Sequence, residues 1–289
     1  MTQRTQRLDA RWLKRHQLPD PCATQSKEER GRALIVGGSS QVPGAALLAA
    51  MAALHAGAGK LQVATARPVA AALALQLPEA MVSPLPTGRA GDIRGGSVAL
   101  GAAAQDADAL LVGPGMPPGA PTGKLLASLG ASRCPVVLDA GAIAEHAALK
   151  KTRQRVLTPH AGEMARLTGL GRDAVEEDPL GIARDVASGS GCVVVMKGVP
   201  TYLVDADGQC LRHEVVAPGL GTSGSGDVLA GLICGLIARG ADPFIAAAWG
   251  VWLHGEAGRR LAARVGPVGF LAREISGEIP ALMASAAHA

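Results

Sequence analysis

The sequence predicts a layered α/β protein built around a mostly parallel sheet. Three observations carry that reading. Short apolar runs ending in glycine alternate with helix-forming stretches along most of the chain, and the first such unit reads strand, helix, strand. The apolar residues are mainly Ala, Val and Leu, with only 2% aromatics beside 38 glycines, a composition suited to close packing of helices on a sheet. With 289 residues and 48% hydrophobic composition, the chain can bury one large core or two modest ones.

From Met1 to Arg32 there is little periodicity, and the stretch reads as a polar lead-in. "ALIVGGSS" (33–40) is an apolar run stopped by two glycines, a buried strand entering a loop. In "QVPGAALLAAMAALHAGAG", Pro43 suits a first helical position, the Ala/Leu run favours helix, and Gly57 can cap its end. "GKLQVAT" (59–65) is the second strand. Further buried strands are expected at "SVALG" (97–101), "ALLVGPG" (109–115), "PVVLDAG" (135–141), "RVLTPH" (155–160) and "CVVVMKG" (192–198). At 201–216 the pattern changes to a β-hairpin with Asp207-Gly208 in its turn, so the sheet should gain antiparallel edge strands.

Two helices are expected to close the chain. In the first, Val228, Leu229, Leu232, Ile233, Leu236 and Ile237 share a face, with Ala230, Gly231 and Gly235 on the other. The second opens with Asp242-Pro243, a cap followed by a first-turn proline. No linker or internal repeat divides the chain, so residues 33–289 are read as one domain behind a lead-in of residues 1–32.

The formal charge of +4 is small for this length, and basic residues are scattered outside the run Arg4, Arg7, Arg11, Lys14, Arg15. No aromatic side chains interleave with that run, so it reads as a solvated face and nucleic-acid binding is not expected. Five cysteines (Cys22, Cys134, Cys192, Cys210, Cys234) lack C-x-x-C spacing, and three sit in apolar runs. Buried free thiols in a reducing compartment follow. No secretory pattern opens the chain and no apolar run reaches the roughly 18 residues a membrane span needs, so a cytoplasmic location is expected.

The most informative stretch is "APGLGTSGSGDVLAGLICGLIARG" (217–240), in which Gly219, Gly221 and Gly224 spell G-x-G-x-x-G. A dinucleotide fingerprint should lie in the first strand-turn-helix unit, with an acid about 20 residues on at the end of the next strand. Here the acid at that distance is Asp242, between two helices, so the oxidoreductase reading is disfavoured. No G-x-x-x-x-G-K-[ST] occurs either. What remains is a glycine- and hydroxyl-rich turn feeding a helix, where free backbone N–H groups favour an anion. Ser225 or Asp227 could simply cap that helix. The glycines around them exceed what a cap requires, and a carboxylate placed among phosphoryl oxygens suits a base that accepts a hydroxyl proton.

"GTSGSGDVLAG" strongly resembles the phosphoryl-transfer signature of the ribokinase-like superfamily. The blocks "GGSSQVPGAALLAAMAALHAGAGKLQVAT", "LLVGPGM", "VVLDAGA", "LTPHAGEMARLTG", "VVMKGVPTYLVDADG" and the segment through "HGEAGRRLA" resemble one branch of it, the ADP-dependent NAD(P)H-hydrate dehydratases, over about residues 33–264. The resemblance implies a three-layer α/β/α sandwich, and dehydration of NADH-hydrate or NADPH-hydrate with ADP as phosphoryl-donating co-substrate and Mg²⁺ as cofactor. It also implies a homotetramer. The helix bearing Trp249 and Trp252 could support one, although both tryptophans could equally be core.

Carried over residue by residue, the resemblance makes Asp227 the base that accepts the hydroxyl proton, and the amides around Gly224, Ser225 and Gly226 the anion hole. It gives Ala45, Gly115, His160 and Asp227 to the hydrated nicotinamide substrate. Lys197, Gly198, Val199, Pro200 and Thr201, with Gly226, go to the adenine nucleotide, and Glu163 to the metal and phosphate region. His160 could equally be a histidine ending a buried strand, and Glu163 a first-turn helix acid. Relatives often carry Asp at the position of Gly141 and "GGTGD" in place of "TSGSGD"; both differences look tolerable for a hole built of backbone amides. Some relatives carry an N-terminal epimerase domain, which the 32 residues before the core cannot hold; if the cell needs that activity, a separate chain is expected to supply it. The rival reading is a small-molecule kinase of the same superfamily, acting on a vitamin precursor or sugar, and a non-catalytic nucleotide sensor is a third.

Overall fold

The computed structural model describes residues 5–20, 26–130, 132–149 and 154–287. Cys22 and Arg4 lie outside them. The strands are β1 (Gln6–Arg7), β2 (Arg32–Val36), β3 (Lys60–Ala66), β4 (Ala80–Leu85), β5 (Ala109–Val112), β6 (Val136–Leu138), β7 (Arg155–Leu157), β8 (Val193–Met196), β9 (Thr201–Val204) and β10 (Cys210–His213). They form one sheet in the order β1-β10-β9-β8-β7-β6-β5-β2-β3-β4. From β4 across to β8 every pairing is parallel, and the β9–β10 hairpin joins by two antiparallel ladders.

Side chains on β2 alternate between two cores, as the pleat requires. Ala33 and Ile35 point to one cluster, Leu34 and Val36 to the other. The first cluster is closed by helices Pro43–His55, Ser225–Ala238, Pro243–Arg264 and Ala272–Ala287, the second by Val98–Asp106, Ala120–Leu129, Ala161–Thr168 and Pro179–Ser190. The result is the three-layer α/β/α sandwich expected.

Four features differ from the sequence reading. "SVALG" is a helix and not a strand: Ser97 accepts the Leu100 N–H at 3.1 Å as its N-cap, and the alanines that follow extend the helix to Asp106. A strand at Ala80–Leu85 was not expected; it lies at the sheet edge, where Pro84 is tolerated. Three helices close the chain, because Ile275, Ile279 and Leu282 bury one face of Ala272–Ala287 despite Gly277 and Pro280. Lastly, the polar lead-in is in part structural. β1 pairs with β10, covering the hairpin's outer edge, and Leu8, Trp12 and Leu13 are buried in the first core. Trp249 is core as well, its Nε1 donating to the His16 carbonyl at 2.7 Å, while Trp252 is half-buried. Cys192, Cys210 and Cys234 are buried free thiols, and Cys134 is a partly exposed one.

Helices Pro43–His55 and Ser225–Ala238 run side by side at near backbone contact. A Cβ on Gly231 would collide with the Ala49 carbonyl, and one on Gly224 with the Leu48 side chain. The small face read in the sequence is therefore a packing face that brings both helix N-termini to the carboxyl edge of the sheet. Gly231→Ala is expected to cost about 1–3 kcal/mol through overpacking, seen as a lower denaturant midpoint at unchanged m-value.

Candidate active site

The strand order reverses between β2 and β5: β3 and β4 follow on one side, β6 to β8 on the other. In open α/β sheets, ligands settle beyond the carboxyl ends of the strands at such a switch point. Two of the substrate positions meet there. A Cβ on Gly115, whose φ is +67°, would stand 2.8 Å from the Ala45 Cβ and 2.6 Å from the Val42 carbonyl. Gly115 is thus confined to glycine by both conformation and space.

β6, β7 and β8 deliver the charged groups. Asp139, just after β6, is 3% exposed and accepts from Thr158 Oγ1 at 2.6 Å and from Lys197 Nζ at 3.2 Å. After β7, His160 caps helix Ala161–Thr168 in a reciprocal box. Its Nδ1 accepts the Gly162 and Glu163 amides at 3.0 and 3.3 Å, and Glu163 Oε2 accepts the His160 amide at 2.9 Å. Lys197, after β8, ties back to the β7 end through its amide, which donates to the Pro159 carbonyl at 2.7 Å, and its Nζ lies 3.5 Å from Glu163 Oε2. Burial alone would lower the Lys197 pKa, but Asp139 and Glu163 hold it above its ordinary value.

Helix Ser225–Ala238 presents its N-terminus to this cluster. Gly224 takes φ +89° ahead of it, and a Cβ on Gly226 would lie 3.2 Å from Lys197 Nζ. Asp227, one residue on, makes no side-chain hydrogen bond among the described residues. Burial and then the nearby Asp139 raise its pKa to about 7, against the pull of Lys197. Of the three amides read as the anion hole, that of Ser225 already donates to the Thr222 carbonyl at 3.2 Å. Those of Gly224 and Gly226 have no protein acceptor among the described residues. What Ser225 can offer a ligand is its hydroxyl.

A cavity of about 590 Å³ opens beside this turn, lined among others by His160, Lys197, Gly198, Val199, Thr201 and Gly226. The Lys197–Thr201 loop contains a cis Val199–Pro200 bond and is closed by Thr201 Oγ1, which donates to the Gly198 carbonyl at 2.9 Å. The structure thus brings most of the nucleotide positions to one cavity with His160 and Ser225, and sets Ala45 and Gly115 apart at the switch point. Asp139 links the two places: its backbone carbonyl lies where a Gly113 Cβ would be, and its carboxylate holds Lys197.

Two residues had no role in the sequence reading. Asp139 closes the apolar run "VVLD", and a lone acid ending a buried strand is the signal that could have found it. His254, in the apolar helix Pro243–Arg264, lines the same cavity and touches Ser225. Gly141 is a glycine for a reason other than tolerance, since a Cβ there would collide with the backbone of Met116, Pro117 and Pro118.

The family model described as NAD(P)H-hydrate dehydratase matches residues 33–281. The chain belongs to that family. It is 49% identical to the ADP-dependent (S)-NAD(P)H-hydrate dehydratase of Xanthomonas campestris, over 92% of both chains. It is 39% identical to the bifunctional NAD(P)H-hydrate repair enzyme Nnr of Moorella thermoacetica, covering 94% of this chain but 53% of that one. Among solved structures, the ADP/ATP-dependent NAD(P)H-hydrate dehydratase of Bacillus subtilis, co-crystallised with ATP/Mg²⁺, superposes with a TM-score of 0.84 at 28% identity, covering 98% of this chain and 99% of that one. The family's ribokinase-like sandwich is therefore the fold of this chain, and the N-terminus of Ser225–Ala238 sits at its carboxyl edge. Among the described residues no helix is long and apolar enough to cross a membrane.

Proposed function

We propose that this member of the dehydratase family converts NADH-hydrate and NADPH-hydrate to NADH and NADPH at the expense of ADP, releasing AMP and phosphate. The observation that carries the reading is the juxtaposition of a glycine-rich helix N-terminus, the Lys197 ammonium and the half-buried Asp227 carboxyl, with Lys197 and Gly226 lining one cavity. The nucleotide lies in that cavity over Lys197, Gly198, Val199, Pro200, Thr201 and Gly226. The hydrated ring occupies the switch-point side over Ala45 and Gly115, with His160 near the boundary. Asp227 takes the proton of the ring hydroxyl as its oxygen attacks the terminal phosphorus of ADP, and AMP leaves. The Gly224 and Gly226 amides and Lys197 stabilise the charge on the transferred group. The ring nitrogen then pushes out phosphate, a ring C–H proton is lost, and the reduced nicotinamide is restored.

The donor set suits Mg²⁺. Asp139 and Glu163 are two carboxylates that converge on Lys197 Nζ at 3.2 and 3.5 Å, and Mg²⁺ typically takes one or two carboxylates with substrate phosphates. Asp139 and Glu163 would hold it, and it would neutralise phosphate charge. A cytoplasmic homotetramer completes the proposal; the free thiols support a reducing location.

The test is incubation of the protein with NADPH-hydrate, Mg²⁺ and either ADP or ATP. Recovery of the reduced-nicotinamide absorbance is expected with ADP. No recovery with either nucleotide, together with phosphorylation of a vitamin precursor or sugar, would replace this reading by the small-molecule kinase.

A further inference from the structure

His254 projects from helix Pro243–Arg264 onto the first residue of helix Ser225–Ala238. Its Nε2 lies 2.9 Å from Ser225 Oγ and 3.1 Å from the Ser225 carbonyl oxygen. A carbonyl oxygen only accepts, so both contacts are hydrogen bonds at once only in the tautomer with the proton on Nε2. Burial pushes the ring's pKa down to about 4, so it is neutral near pH 7 with that single N–H. In the Nε2–H tautomer the same proton faces Ser225 Oγ and occupies one of its lone pairs. The hydroxyl hydrogen is therefore not spent on the ring. It has no other protein acceptor among the described residues, and Ser225 lines the cavity beside Gly226. Because the Ser225 amide is committed to the Thr222 carbonyl, the hydroxyl is this residue's free donor.

We propose that His254 is a positioning residue for phosphoryl transfer: by donating from Nε2 it turns the Ser225 hydroxyl to donate into the cavity, onto the transferred phosphoryl group. The inference rests on the reading of the cavity as the nucleotide site. It adds a side-chain donor to a hole otherwise made of backbone amides, and assigns a task to an otherwise unexplained polar residue in an apolar helix.

Two measurements test it. The first is a double-mutant cycle in kcat with saturating NADPH-hydrate, ADP and Mg²⁺, using Ser225→Ala, His254→Leu, the double variant and His254→Gln. Ser225→Ala is expected to lose about 10²-fold, the size of one lost oxyanion donor. His254→Leu should lose about tenfold with KM for the hydrate unchanged, and the double variant no more than Ser225→Ala alone. His254→Gln should recover most of the rate, since its amide N–H falls near the place of the ring Nε2–H. Wild-type turnover in His254→Leu, multiplying losses in the double variant, or a folded His254→Gln as slow as His254→Leu would each overturn the proposal. The second needs no turnover: long-range ¹⁵N NMR of histidine-labelled wild-type protein at pH 7 should find His254 in the Nε2–H tautomer. The Nδ1–H tautomer would overturn the proposal even in an active enzyme, whereas an inactive wild-type protein with the Nε2–H tautomer would instead count against the dehydratase reading.

Discussion

Asp227→Asn is expected to lower kcat by about 10²–10⁴-fold, the usual contribution of a positioned general base. Affinity for ADP should change little, because the substitution is nearly isosteric and the carboxyl bonds to no neighbour among the described residues. The wild-type rate carries a second signature. With the Asp227 pKa raised to about 7 by burial and by Asp139, the base form is the minority below neutrality. The kcat/KM profile, which reports the free enzyme, should fall about tenfold per pH unit on the acid side of that value. Stability should move the other way. The folded-state pKa lies above that of the unfolded chain, so the fold binds this proton more tightly, and its cost to stability grows as pH rises from about 4 to about 7 and then persists. Asp227→Asn should therefore be at least as stable as the wild type at pH 8 in a denaturant titration. An activity loss caused by unfolding would give the opposite result.

Lys197→Met is expected to lower both stability and rate. The ammonium sits between Asp139 and Glu163 at 3.2 and 3.5 Å, and its side chain is only 19% exposed. Its loss leaves buried carboxylates without a counter-charge, a change that costs on the order of 3 kcal/mol. It also removes the positive charge beside Gly226 that would meet the phosphates, so kcat should drop by about 10²–10³-fold. The residual activity should carry its own mark. Lys197 lowers the Asp227 pKa against burial and Asp139, so without it the acid limb of the profile moves to higher pH. A variant with a low rate but an unmoved limb would show that Lys197 and Asp227 do not share one electrostatic site.

The parallel sheet was legible because "ALIVGG", "ALLVGPG" and "VVLDAG" are short apolar runs ended by glycine at the carboxyl edge, where backbone must approach backbone. Gly231 and Gly235 were legible as a small face for the same reason. "SVALG" misled because a five-residue apolar run has no period long enough to separate strand from helix, and its Ser97 cap was the better cue. The N-terminal arm was read as polar because its three buried side chains, Leu8, Trp12 and Leu13, are spaced among charges.

At the site, Gly226, Asp227 and Lys197 were readable from motifs local in sequence. Asp139 and His254 were not, because each acts through a residue far along the chain: Asp139 on Lys197, 58 residues away, and His254 on Ser225, 29 residues away. The hydroxyl role of Ser225 was hidden likewise, since only the fold reveals that its amide is engaged by Thr222.

In the proposed reaction the ring hydroxyl is phosphorylated and then leaves as phosphate. It is tested most directly by following that oxygen. NADPH-hydrate formed in ¹⁸O-water carries the label in its hydroxyl, and the wild-type protein is given this substrate with ADP and Mg²⁺ in unlabelled water. Phosphorylation followed by C–O cleavage places the label in the released inorganic phosphate, one ¹⁸O for each NADPH formed. Unlabelled phosphate, with the ¹⁸O recovered in water, would show that ADP is hydrolysed separately from the loss of the hydroxyl, and would contradict the account.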